Sequence, residues 1–269
     1  MYIVFDIGGT NMRVAGSSDG KELGEPAIAG TPGDFEEGMK VFEDLVSKVS
    51  GGEKIEAIAG GIAGVFDAEH TQLLRSPNLL GWMGKPIKEE LTKRFGVPIY
   101  LYNDCDMDGV GEAVAGAGQD FKTVAYLTVS TGVGGSLIVA GEPVGSGFGL
   151  EPGQQIIDRE NSLEDLVSGA GFKKRFEKKA EEISNNAVWE MAAKDLAIGI
   201  HNTIVHWSPD VVVLGGKMIT GNPAIDLGLV EENLKRIMKI FPTLPPIRKA
   251  ELGDKSGLIG ALELLNKHK

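Results

Sequence analysis

The stretch Phe5-Asp6-Ile7-Gly8-Gly9-Thr10-Asn11 decides how the chain is read. Ahead of it, Tyr2-Ile3-Val4-Phe5 is a short apolar run of the kind that forms a buried strand. Behind it, Met12-Arg13-Val14-Ala15 can return as the second strand of a hairpin. Glycines in the turn let the backbone approach a ligand closely. Successive backbone N–H groups in such a turn make a concave anion site, and the Thr10 hydroxyl and Asn11 amide add donors. Asp6, at the strand end, stands where a carboxylate holds a hydrated Mg²⁺ against phosphates. Two readings are open on these residues alone: a phosphate cradle, or an ordinary Gly-rich hairpin.

Composition narrows the classes. The chain has 269 residues, enough for one large domain or two compact ones. Hydrophobic residues make up 42% and charged residues 24%, the profile of a soluble globular protein. The formal net charge of −11 argues against a nucleic-acid surface. Its densest basic run, Lys173-Lys174-Arg175 with Lys178-Lys179, is interleaved with Glu177, Glu181 and Glu182 and reads as a solvated helix face. Cys105 is the single cysteine, so an intrachain disulfide and a cysteine-rich zinc site are both excluded. No signal peptide and no run of about 20 apolar residues is present, so the expected location is the cytoplasm, with no membrane partner.

Along the chain, helices alternate with short strands. Asp34 is a candidate N-cap for a helix with Phe35, Met39, Phe42 and Val46 on one face, ending before Gly51-Gly52. Strands are expected near 22–28, 55–59 and 97–102, and helices over 86–95 and 105–117. The pattern then begins again. Thr123–Val129 is an apolar strand, Ser130-Thr131-Gly132-Val133-Gly134-Gly135 is a second glycine turn, and Ser136–Ala140 returns from it. Asp6 through Thr10, leading to Val14-Ala15-Gly16, parallels Thr131 through Gly135, leading to Val139-Ala140-Gly141. This repetition implies a duplicated α/β architecture whose two turns face a shared polyphosphate across a cleft. Further helices are expected near 162–167, 172–183, 187–207, 224–240 and 256–267, with strands at 211–214 and 247–252.

Asn103-Asp104 is the leading catalytic candidate, because it lies at the C-terminal end of a strand, where α/β sheets place ligands. Asp104 can accept the proton of a substrate hydroxyl as that oxygen attacks phosphorus. The same pair also suits a helix cap, and Asp104-Cys105-Asp106-Met107-Asp108-Gly109 matches the opening of a calcium loop. That loop needs a Glu at its twelfth position, where Ala115 stands. Glu151 and Glu164, near glycine turns, are able to accept from sugar hydroxyls or to serve as plain surface charges. His201 and His206 do not share a helix face and read as structural. There is no G-x-S-x-G elbow and no Walker A motif.

Taken together, these motifs resemble the ROK family (repressors, uncharacterised reading frames and sugar kinases) over nearly the whole chain. Asp6-Ile7-Gly8-Gly9-Thr10-Asn11 resembles its first phosphate motif, and Ser76-Pro77-Asn78-Leu79-Leu80-Gly81-Trp82 its Pro-Asn-Leu-x-Gly-Trp segment. Asn103-Asp104 ahead of Gly111-Glu112-Ala113 resembles the catalytic motif. Thr131-Gly132-Val133-Gly134-Gly135 resembles the second phosphate motif, and Val213-Leu214-Gly215-Gly216 the adenosine motif. The resemblance implies an α/β, actin/hexokinase-like (ribonuclease H-like) duplicated fold. Its two domains, residues 1–104 plus 256–269 and residues 105–255, would flank a cleft. It implies a cytoplasmic, homodimeric kinase that uses ATP and Mg²⁺ to phosphorylate a hexose, glucose at O6. Asp104 is then the base. Asn78, Asn103, Asp104, Glu151, Gln154 and Glu164 bind sugar. Asp6, Gly8, Gly9, Thr10, Asn11, Thr131, Gly132, Gly215 and Gly216 bind nucleotide, and Asp6 holds Mg²⁺ through water.

One motif departs from the family pattern. Glu151-Pro152-Gly153-Gln154 has Gln where the family has a zinc-ligating His, and the three cysteines that follow it in the family are missing. No structural zinc is therefore expected. Leu163-Glu164-Asp165-Leu166-Val167-Ser168-Gly169 still resembles the segment that closes that motif. The departure leaves polyphosphate as an alternative donor, and a non-catalytic sugar- or nucleotide-binding protein of the same fold as an alternative function. A sugar-responsive regulator is disfavoured, since its helix-turn-helix would precede the first phosphate motif, which here begins within the first ten residues.

Overall fold

The computed structural model describes residues 1–145 and 147–268. The chain divides into two compact units, Met1–Val114 with Gly145–Gly149 and Asp254–Lys269, and Ala115–Val144 with Leu150–Gly253.

The first unit contains β1 (Tyr2–Ile7), β2 (Asn11–Ser17), β3 (Ala27–Gly30), α1 (Phe35–Ser50) and β4 (Ala57–Ile62). It continues with β5 (Val65–Phe66), β6 (Leu73–Arg75), α2 (Ile87–Phe95), β7 (Ile99–Asn103) and α3 (Asp104–Ala115). Its main sheet has the order β3-β2-β1-β4-β7. β1 pairs antiparallel with β2 and parallel with β4, and β7 adds in parallel to β4. Asp34 caps α1 as expected, its carboxylate accepting from Glu37 N at 3.0 Å. The apolar face of α1 buries Phe35, Met39, Phe42 and Val46, and Phe5 of β1 meets Phe42 edge-on at 5.0 Å. Trp82 is fully buried and donates from Nε1 to Pro32 O at 3.0 Å. That anchor sets the position of the irregular 76–82 segment.

The second unit contains β8 (Thr123–Val129), β9 (Val133–Val139), β10 (Glu142–Pro143), α4 (Leu163–Val167), α5 (Gly169–Phe176) and α6 (Asn186–Trp207). It ends with β11 (Val211–Gly215), α7 (Lys217–Thr220), α8 (Leu227–Ile237) and β12 (Ile247–Lys249). Its sheet order, β10-β9-β8-β11-β12, repeats that of the first unit strand for strand, with the same sequence of antiparallel and parallel pairings. The expected duplication is therefore present in the topology. Leu127, Val129, Leu214, Phe172, Trp189 and Leu196 lie in its core. α9 (Ser256–Lys267) belongs to the first unit and lies against β1 and β4.

Several expectations are corrected. The returning strand of the second hairpin begins at Val133, not Ser136. Register sets Val129 against Val133 and Thr128 against Gly134, as it sets Ile7 against Met12 and Asp6 against Arg13. Thr128, not Thr131, therefore occupies the position equivalent to Asp6. The helix expected over 172–183 stops at Phe176, because Glu177 takes a left-handed conformation with φ 56°. The opening of the candidate calcium loop is the first turns of α3, so Asp106 lies on the opposite side of the helix from Asp104 and Asp108. The β5–β6 pair, β10 and α7 were not legible as elements in the sequence.

Candidate active site

In the first unit the site grows from the β1–β2 hairpin. Gly8 N donates to Asn11 O at 3.0 Å and closes the turn. Thr31 braces it from outside, donating from Oγ1 to Gly8 O at 2.7 Å and from its backbone N to Thr10 O at 2.9 Å. Asn78 lies directly over Gly9: a Cβ on residue 9 would stand 2.3 Å from the Asn78 Cβ. Only glycine allows that approach, so the Pro77-Asn78 segment packs tightly on the β1–β2 turn.

Asp6 sits across the hairpin from Arg13, whose Nη1 lies 3.3 Å from Asp6 Oδ2 and whose Nη2 lies 3.2 Å from Asp254 Oδ2. The Asp6 side chain is only 23% exposed. Its carboxyl is pushed up to about 6, first by burial and next by the charge of Asp104, against the lowering effect of Arg13.

Asn103 and Asp104 stand at the junction of β7 and α3. Asn103 ties the junction with both ends of its amide. Nδ2 donates to Gly64 O at 2.9 Å, and Oδ1 accepts from Cys105 N at 2.8 Å. The capping role is thus taken by Asn103, and Asp104 is the half-buried first residue of α3. A carboxylate there faces the positive end of the helix dipole. One turn further, Asp108 accepts from Ser256 Oγ at 2.6 Å, which brings the start of α9 beside both Asp108 and Asp6.

The second unit gathers the remaining candidates around the β8–β9 turn. Ser130 N donates to Gly132 O at 2.8 Å across it. From α5, Gly169 N donates to Ser130 O at 2.8 Å and Ala170 N to Thr131 O at 3.0 Å. Glu164, on α4, accepts from Val133 N through Oε2 at 2.9 Å and from Gln154 Nε2 through Oε1 at 3.3 Å. The Glu151 carboxyl is held above the usual glutamate range, first by loss of solvent and next by the Glu164 charge. Glu151, Gln154, Glu164, Thr131 and Gly132 therefore form one neighbourhood. Gly216, at φ 86°, packs on the Val129 backbone, which places the Gly215-Gly216 turn beside the β8–β9 turn.

Sequence reading missed Arg13, Thr31, Asp108, Asp254 and Ser256. Arg13 was accessible from hairpin register and Asp108 from its i+4 spacing to Asp104. Thr31, Asp254 and Ser256 arrive through tertiary folding and have no local signal. His201 bonds its neighbour Asn202 at 3.1 Å and takes no part in these groups. Among the described residues, no cluster of three or more His, Cys, Asp or Glu side chains is arranged to hold a metal ion, and no helix is long and apolar enough to cross a membrane.

Two sheets of matching strand order, each ending in a glycine turn, define the actin/hexokinase-like duplicated fold. The chain belongs to the ROK family, whose model matches residues 2–268. The N-acetyl-D-glucosamine kinase of Vibrio parahaemolyticus is 30% identical over 302 residues, covering 97% of this chain and 98% of the relative. Among solved structures, the ROK hexokinase of Thermus thermophilus superposes with a TM-score of 0.84 at 27% identity, covering 100% of this chain and 99% of that one. A ROK glucokinase of Streptomyces griseus, solved with glucose and AMPPNP, gives 0.81 at 22% identity over 98% of both chains.

Proposed function

We propose that this ROK-family sugar kinase transfers the γ-phosphoryl group of ATP to O6 of glucose, with Asp104 as general base. The observation that carries the reading is the pairing of Asp104 with Asp6. A proton acceptor at a strand end stands close enough to a buried carboxylate for its charge to raise that carboxylate's pKa. The glucose and AMPPNP bound by the Streptomyces griseus enzyme support the choice of substrates.

Asp6 and Asp104 fit a hydrated Mg²⁺, because two mutually repelling carboxylates gain from a cation. Mg²⁺ is typically held by one or two carboxylates together with phosphate oxygens and water. When bound, Mg²⁺ neutralises phosphate charge. Asp6 would hold it through water. Backbone N–H groups at Gly8, Gly9, Thr10 and Asn11, and at Thr131 and Gly132, would cradle phosphate oxygens. Gly215 and Gly216 leave room for adenosine. Asn78, Asn103, Glu151, Gln154 and Glu164 would hydrogen-bond ring hydroxyls. They orient the ring so that O6 meets the transferred phosphorus while Asp104 takes its proton. The same reading puts the enzyme in the cytoplasm, where ATP is abundant, and takes the homodimer only from what the family resemblance implies.

The test is ADP release from Mg·ATP over glucose, N-acetylglucosamine and other hexoses, with polyphosphate as a parallel donor and light scattering for the assembly. Turnover on glucose that disappears with 6-deoxyglucose supports the reading. Turnover confined to another sugar, or to polyphosphate, replaces that part of it, and nucleotide binding without turnover on any sugar overturns it.

A further inference from the structure

Glu164 enters the reading above as a sugar ligand, yet its best hydrogen bond is to the second phosphate turn. Oε2 accepts the backbone N–H of Val133 at 2.9 Å, and Oε1 is steadied by Gln154 Nε2 at 3.3 Å. Gly132 fits under the carboxylate so closely that a Cβ there would stand 2.6 Å from Oε2. Two further braces on the turn, Gly169 N to Ser130 O and Ala170 N to Thr131 O, come from backbone at the start of α5, two residues beyond α4. The brace from Glu164 is made by a side chain, and it is charge-assisted. Val133 is buried beneath the turn, and Thr131 stands exposed at its tip.

We infer that Glu164 is a positioning residue for the nucleotide phosphates, setting the shape of the 130–133 turn through its bond to Val133 N, in addition to any contact it makes with sugar. This inference deepens the kinase reading and rests on it. Its content is that nucleotide affinity in the complete absence of sugar depends on an acceptor atom reaching Val133 N. A residue that only touches sugar has no such effect.

The experiment measures binding of Mg·AMPPNP by calorimetry, without sugar, to the full chain and to Glu164→Ala, Glu164→Asp and Glu164→Gln. Glutamine keeps an oxygen at the same reach, aspartate keeps the charge but falls short, and alanine removes both. Losing one charge-assisted hydrogen bond predicts about tenfold weaker binding for the alanine and aspartate variants. Glutamine is expected to stay close to wild type for nucleotide while its KM for sugar rises. Amide hydrogen exchange at Val133 gives a ligand-free readout: faster in the alanine and aspartate variants, protected in the glutamine variant. Should alanine unfold the chain, the aspartate and glutamine pair carries the comparison. Equal nucleotide affinity and equal Val133 protection in all four proteins overturns the inference, as does a glutamine variant as weak as alanine. Failure of the kinase reading shows separately, as wild type without sugar-dependent turnover.

Discussion

The two glycine hairpins share a backbone plan and differ in what surrounds it. Ahead of the first turn, Asp6 pairs with Arg13 across the hairpin, and Asp104, Asp108 and Asp254 gather nearby. At the equivalent place in the second hairpin, Thr128 faces Gly134 and carries no charge. There the turn itself is held, by Glu164, Gly169 and Ala170. Duplication supplies the same loop at the end of two sheets, and the side chains then divide the work. The first hairpin gathers carboxylates around its strand end. The second turn is held by hydrogen bonds from Glu164, Gly169 and Ala170.

That contrast can be broken at its most consequential point with Asp104→Asn, which keeps the shape and removes the proposed base. The expected loss in kcat is about 10³-fold, with KM for ATP nearly unchanged, read from steady-state kinetics. A loss under tenfold would move the base elsewhere.

Asp6→Asn sharpens the charge side of the comparison. The Asp6 carboxyl stands at about 6 in the folded chain against 3.8 as the ordinary value, so between those values the folded state binds the extra proton. Stability from this group is therefore present below about pH 4 and declines as pH rises through the window to about 6. The Asn variant lacks that decline. Without ligand at pH 8 it should be more stable than wild type, by on the order of 1–3 kcal/mol, while losing Mg²⁺-dependent turnover. Urea unfolding at pH 4 and pH 8 checks both the sign and the window.

Thr128→Asp tests the neutral side. It installs in the second hairpin the carboxylate of the first without the matching arginine. Repulsion of phosphate should raise KM for ATP about tenfold with a smaller change in kcat. The smallest effect is expected from Ser162→Ala. Ser162 caps α4, exchanging bonds with Asp165 in a capping box, and α4 carries Glu164. Thermal unfolding should register a loss of about 1 kcal/mol, with a modest rise in KM for sugar.

Much of this was readable from residue order. Asp34 and Gly51 bracket α1, the 123–129 strand starts and stops where the apolar run does, and α6 follows its helical period. The pairing of Asp6 with Arg13 was also there to be read, because opposite residues in a hairpin follow from the turn between them. The error over Thr131 arose at the same step. The 8–11 loop and the 130–132 loop differ by one residue, and a repeat aligned on glycines alone slips when loop lengths differ.

By itself, the sequence determined the two glycine hairpins and the acid at the end of β7, because turn chemistry, apolar period and strand ends are local properties. Only the tertiary structure decided that Asn78 lies over Gly9, that Ser256 meets Asp108, and that the Glu164 carboxylate holds Val133 N. Those contacts join residues between 31 and 148 positions apart. They form only when packing of the cores brings distant segments together, and no local preference of the chain encodes them.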